Sequence, residues 1–326
     1  MAAMPGQASA SQRSRDLQVL VIWVVALLIQ LVSFGRDFGT DIDNYVDYLK
    51  ALDSISTANS LEPIYIFLGR ICLDIGLGRT AVIELTALAS IMLIAVFCSR
   101  QRNPLATLVI VLGWMLLQQI WGTIRMGLGV CLLLFANEIY IRRGRIPWWT
   151  LAAPVFHWSL LVHPFTLLLR WRARTAVVLS ILTYAVVATT GSIRTLFFAI
   201  VPDQMAAVAN YAALQGESVA TIPSPLALLI HLMLVYALTK TCSQEELPRF
   251  LGPLTLLYCA TCLFFDFDQA GGRVANILIS MKLLALIKVY DEAERLSSRA
   301  LLVRSAILAY CCLVALQYYI ANAEYF

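Results

Sequence analysis

Charge is scarce in this chain. Lys and Arg number 24 and Asp and Glu 20, together 13% of 326 residues, beside a hydrophobic share of 60%. The mean hydropathy is +0.78, which excludes an ordinary soluble globular protein, where about a quarter of residues are charged. Net charge is only +4, and the basic residues gather in short loops without forming a patch, so nucleic acid is not an expected partner. Metal-ligand spacings, a phosphate-binding P-loop and the GxSxG turn of hydrolases are missing, which removes the commonest soluble chemistries and little more. No cofactor is called for. No internal repeat is visible, and no small-residue cleavage site follows the first apolar run, which is read as a retained helix and not a secretory signal. Five of the eight cysteines (Cys131, Cys259, Cys262, Cys311, Cys312) fall in predicted helices. Cys259 and Cys262 form a CxxC without histidine companions, so they read as small packing residues.

What the chain has instead is a succession of apolar stretches of about 18 residues, each long enough to cross a hydrocarbon core of ~30 Å. It reads as an all-α polytopic membrane protein, with a cytoplasmic tail over 1–16 and one transmembrane domain over 17–326. Arg100/Arg102, Arg142/Arg143/Arg145, Arg170/Arg172/Arg174, Lys240/Arg249, Arg295/Arg299 and the basic N-terminus mark the cytoplasmic side. The expected spans are 17–34, 81–98, 104–122, 124–141, 174–191, 223–240, 250–266, 273–290 and 300–320. Two segments do not fit single crossings. Residues 61–77 open with Glu62-Pro63 and carry Arg70 and Asp74, which predicts an interfacial helix on the outer side. Residues 146–169 are apolar but flanked by arginines at both ends, which predicts a re-entrant hairpin broken around Pro154 to Pro164. About nine crossings and one hairpin result, with 35–60 and 192–222 as outward loops.

Two ionisable residues stand out against this background, because such side chains are costly in a membrane and mark functional sites. Arg125 lies at the outer start of its helix, where free N–H groups and the positive helix end favour an anion. Arg273, after Gly271-Gly272, repeats the arrangement at the next outward-starting helix. Two such arginines suggest a receptor for a phosphate or pyrophosphate head group, which guanidinium grips with paired hydrogen bonds; snorkelling to ordinary lipid phosphates is the bland alternative. His157, in Phe156-His157-Trp158-Ser159, lies at the hairpin break, where a neutral imidazole can take a proton near pH 7; helix packing is the competing account. His163 is less distinctive, and His231 reads as structural. In the acidic first loop, Asp41, Asp43 and Glu62 offer carboxylates to sugar hydroxyls, and Tyr45 or Tyr48 offers a ring face to a sugar; a solvated loop is the plain reading. Glu84 and Lys282 are candidate cavity residues.

Gly39-Thr40-Asp41-Ile42-Asp43-Asn44-Tyr45-Val46-Asp47-Tyr48, Glu62-Pro63-Ile64-Tyr65, Ile124-Arg125 and Phe156-His157-Trp158-Ser159 occur in an order that resembles the EpsG family of Wzy-like bacterial polysaccharide polymerases, over roughly residues 17–290. Met126 stands where the family pattern has glutamine after its arginine, and Gly129 takes a small-residue position. The resemblance implies a GT-C-like membrane glycosyltransferase of the bacterial cytoplasmic (inner) membrane. Such an enzyme transfers a growing chain from undecaprenyl pyrophosphate to the terminal sugar of another lipid-linked unit, making exopolysaccharide or a similar surface glycan. Arg125 and Arg273 would then hold the leaving pyrophosphate, with Tyr45, Glu62, His163 and Ser159 as further substrate contacts. His157 is the first candidate base and Asp41 or Asp43 the second. Membrane lipids, a chain-length regulator and export proteins are the implied partners.

Two rivals belong to other classes. A lipid-linked-oligosaccharide flippase or transporter would share broken helices and buried charge, but should show related halves and polar residues throughout its spans. A polysaccharide-modifying acyltransferase would need an acyl route from the cytoplasmic side, and no acid or histidine cluster faces that way.

Overall fold

In the computed structural model the described residues are 5–34, 63–78, 81–190, 224–264 and 268–323, and they form helices and turns without a strand. The principal helices are α1 (Pro5–Ser33), α2 (Pro63–Asp74), α3 (Ala81–Arg100), α4 (Pro104–Met115), α5 (Ile124–Arg143), α6 (Ala173–Thr190), α7 (Pro225–Thr241), α8 (Glu246–Leu263), α9 (Asp268–Asp291) and α10 (Ala300–Ala321). Over its described residues each expected span overlaps one of these helices, α4 being extended by a π-helical segment, Leu116–Gly122. Among the described residues, four helical stretches are suited by length and composition to cross a membrane: Gln12–Ser33, Ala81–Arg100, Pro104–Gly122 and Ala300–Ala321. Two shorter apolar helices, Ala173–Thr189 and Pro225–Thr241, accompany them.

Local chemistry sets the helix ends. Proline opens α4 and α7, where its missing N–H is not needed. Glu84 in the first turn and Arg100 in the last match the dipole of α3. Gly144 stops α5 in a left-handed conformation, φ 67°, with its N–H on the Tyr140 carbonyl at 2.7 Å.

The termini segregate into two ends. At the basic end, Arg249 donates to the Ile141 carbonyl at 2.8 Å, Asn103 to the Asp291 carboxylate at 2.6 Å, and Lys288 pairs with Glu246 at 3.0 Å. At the opposite end, the Trp121 indole N–H reaches Ser33 Oγ at 2.7 Å. Between them, α3, α5, α8 and α9 supply most of one continuous apolar core. The span window of α10 is only 6% buried while that of α3 is 56% buried, so α10 lies at the rim and α3 at the centre. Helix α2 packs separately: Tyr65 and Cys72 meet Val82, Ile83 and Ile124, which fixes it to the opposite end, beside the start of α5.

Residues 146–169 form no continuous helix. Two 3-10 segments, Trp148–Val155 and Trp158–Val162, precede a single turn, His163–Thr166. The segment leaves the bundle where it entered. It follows Gly144 at the basic end of α5, and the Leu169 carbonyl returns so close to Gly252 of α8 that no Cβ would fit. Its tip rises to Gly129, where an added Cβ would collide with Leu160. Gly129 is fifteen residues from Gly144, about 22 Å along the helix.

Candidate functional site

Arg125 is the second residue of α5, whose start has neither an acidic first turn nor a side-chain cap. The first intrahelical bond joins Gly127 N–H to the Thr123 carbonyl at 2.8 Å, so the amides ahead of it lie at the unpaired start of the ladder. The π-helical segment folds back on this start: Thr123 N–H bonds the Gln118 carbonyl at 2.8 Å, and Gly127 admits the Gln119 carbonyl where a Cβ would collide. The second contact requires glycine at position 127.

Arg273 is placed differently from expectation. Helix α9 begins at Asp268, so Gly271 and Gly272 are helical and half-buried Arg273 lies in the second turn. Two glycines cost a helix only about 1 kcal/mol each relative to alanine, too little to delay this start. The helix-start argument therefore holds for Arg125 alone. Among the described residues nothing stands within 4 Å of a Cβ built on Gly272.

What joins the two arginine-bearing segments is Asn276, one turn beyond Arg273 and 5% exposed. Its Oδ1 accepts hydrogen bonds from Gln118 Nε2 and Gln119 Nε2, each at 2.8 Å. Its Nδ2 meets Met126 Sδ at 3.5 Å. The methionine that replaces the expected glutamine thus occupies an acceptor position beside Arg125, with sulfur as a weak acceptor.

His157 caps the second 3-10 segment from an extended conformation and is 9% exposed. Its Nδ1 accepts from Ser159 N–H at 3.2 Å and lies 2.8 Å from Ser159 Oγ. Those contacts fix Nδ1 as the acceptor, which puts the proton of the neutral ring on Nε2. Leu160 and Phe156 rest on Gly129, one turn from Arg125, so the His157–Ser159 tip reaches nearly the depth of that arginine.

His163 is elsewhere. It is 0% exposed, with Nε2 on Asn137 Oδ1 at 2.7 Å and Nδ1 3.4 Å from Thr166 Oγ1. Asn137 in turn donates to Ser280 Oγ of α9 at 3.0 Å. Asn137 lies twelve residues beyond Arg125, about 18 Å down α5, so this network anchors the returning limb and does not join the arginine site. His231 stacks on Tyr258 with centroids 4.0 Å apart and planes within 9°, a packing role as expected. Lys282 lies 5.4 Å over the Trp114 ring. Asp41, Asp43, Tyr45, Tyr48 and Glu62 lie outside the described residues.

Sequence reading missed Gln118, Gln119, Asn137, Asn276 and Ser280. The signal was present as adjacent glutamines inside an apolar run, since buried carboxamides need partners.

Away from the arginines, a polar cavity of about 290 Å³ opens at the basic end between Gln101, Glu138, Glu246, Lys288 and Asp291. Its charges are largely engaged: Arg142 holds Glu138 at 2.9 Å and Lys288 holds Glu246. Partial burial pushes the Glu246 carboxyl up, but the hydrogen bond and charge of Lys288 together with hydrogen bonds to Ser243 more than offset this and leave it below the usual carboxylate value. At Asp291, burial wins over the Asn103 hydrogen bond and raises the carboxyl. Among the described residues, no group of three or more His, Cys, Asp or Glu could hold a metal ion.

The sequence profile of the EpsG family matches residues 18–326. No curated protein and no solved structure matches the chain.

Proposed function

Because the chain belongs to the EpsG family, whose members are membrane proteins of polysaccharide synthesis, we propose that it is a polysaccharide polymerase. In this reading it is a GT-C-like glycosyltransferase of the bacterial cytoplasmic membrane, with nine crossings and a cytoplasmic N-terminus. It joins oligosaccharide repeat units carried on undecaprenyl pyrophosphate, at the outer face.

The observation that carries the reading is the meeting at Asn276. It sets the Arg125 helix start beside the Arg273 turn, at the end of the bundle towards which the His157–Ser159 tip also rises. The open helix start and two guanidinium groups suit a pyrophosphate leaving group, whose negative charge rises as the bond breaks. In the reaction the bond between the donor sugar's anomeric carbon and the pyrophosphate oxygen breaks, and the electron pair leaves with the pyrophosphate. The acceptor hydroxyl oxygen forms the new bond to that carbon. Its proton passes to Ser159 Oγ while the Ser159 proton passes to His157 Nδ1, with Asp41 or Asp43 as the alternative base. The arginines act by meeting negative charge as it develops, a contribution on the order of 10² to 10³ in rate for one such donor. Tyr45 and Glu62 are assigned to the glycan, and His163 to holding the hairpin.

Deletion of the protein should leave single lipid-linked repeat units on the outer leaflet. Retention of those units on the cytoplasmic leaflet would instead make the protein a flippase, and loss only of an acyl decoration would make it an acyltransferase.

A further inference from the structure

The π-helical segment Leu116–Gly122 is a rare way to end a helix, and such wide turns are frequent at functional sites. Here the wide turn lets two consecutive side chains reach one acceptor: Gln118 and Gln119 both donate to Asn276 Oδ1 at 2.8 Å. In an α-helix, side chains at i and i+1 do not share a face.

The two glutamines are then used unequally. Gln119 is 0% exposed, and its Oε1 accepts from Thr123 Oγ1 at 3.2 Å, so both ends of its carboxamide are engaged. Gln118 is half-buried, its nitrogen is committed to Asn276, and its carbonyl oxygen has no partner among the described residues. The side chain is held at one end and open at the other, between the Arg125 helix start and the turn that carries Arg273. A carbonyl oxygen has lone pairs and no proton, so it repels phosphate and accepts from a hydroxyl.

We propose that Gln118 is a glycan-binding residue, held by Asn276 and accepting a hydrogen bond from a sugar hydroxyl of the lipid-linked substrate close to its pyrophosphate. This deepens the polymerase reading and rests on it. Asn276 is the positioning residue of the pair.

The test uses the full-length protein in lipid nanodiscs and the lipid-linked repeat unit extracted from a strain lacking the protein. Q118A should raise KM roughly three- to tenfold, the worth of one neutral hydrogen bond, with kcat and thermal stability close to wild type. Q119A should lower thermal stability and leave KM near wild type, because its carboxamide faces only protein. Should Q118A fail to fold, Q118M keeps the length, removes the carbonyl and should show the same KM shift. An unchanged KM in the folded Gln118 variant, or equal KM shifts for Q118A and Q119A, overturns the inference. Arg125→Ala and Arg273→Ala run beside them: if both polymerise normally, the polymerase site itself is misplaced, whereas inactive arginine variants with normal Q118A reject Gln118 alone.

Discussion

Replacing Asn137 by alanine tests how the hairpin is held. Asn137, His163 and Ser280 are each 0% exposed, and they link α5, the hairpin's returning limb and α9 through bonds of 2.7 and 3.0 Å. Truncation strips the His163 Nε2–H of its acceptor in a dry interior, at a cost of about 1–3 kcal/mol. Ser280 loses less, because its hydroxyl still donates to the Ile277 carbonyl at 2.8 Å. Adding a small cavity gives a total of roughly 2–4 kcal/mol. The direct coupling between Asn137 and His163 is smaller, since interhelical hydrogen bonds within membranes average ~0.6 and reach ~1.7 kcal/mol in double-mutant cycles. Reversible unfolding in mixed detergent micelles of wild type, Asn137→Ala, His163→Leu and the double variant measures both quantities. A total below about 0.5 kcal/mol, or a coupling indistinguishable from zero, would refute the anchoring role.

Gly129→Ala should displace Leu160, since a Cβ there collides with it, costing roughly 1–3 kcal/mol of stability by overpacking. Polymer length should fall with it, and a variant as stable and active as wild type would contradict the close approach. Ser159→Ala should slow turnover by about 10²-fold or more while leaving substrate KM near wild type, if the proton travels through its hydroxyl; an unchanged kcat removes Ser159 from the path. At the basic end, Glu246 titrates below its ordinary value of 4.5. Its depressed carboxyl stabilises the fold above that pH and loses the contribution as pH falls through the lower folded value. Lys288→Met should therefore flatten the acid limb of the melting-temperature profile, and an unaltered profile counts against the pair.

The helices were legible because long apolar runs leave few alternatives, and each predicted span overlaps a helix over its described residues, four of them being long and apolar enough to cross a membrane. The hairpin was legible from arginines on both flanks and from prolines between them, a pattern that one crossing cannot satisfy. The π-helical segment was not, because hydropathy does not record how many residues make a turn. Without it, nothing in the sequence brings Gln118 and Gln119 to one carbonyl. Arg273 was misread for a different reason: Gly271-Gly272 looked like a helix boundary, while the helix starts at Asp268 and runs through them, each glycine costing a helix only about 1 kcal/mol. The helix start beside Arg125 needed no such context, since the apolar run opens there and α5 begins at Ile124 as expected.

The polymerase account is tested most directly by the purified protein supplied with its lipid-linked repeat unit, comparing wild type with Arg125→Ala and Arg273→Ala. The account predicts a ladder of lengthening glycans from wild type. From each variant it predicts unreacted single units, with the protein still folded, and Arg125→Lys should also be poor, because an ammonium cannot make the paired contact. A normal ladder from both alanine variants would contradict it.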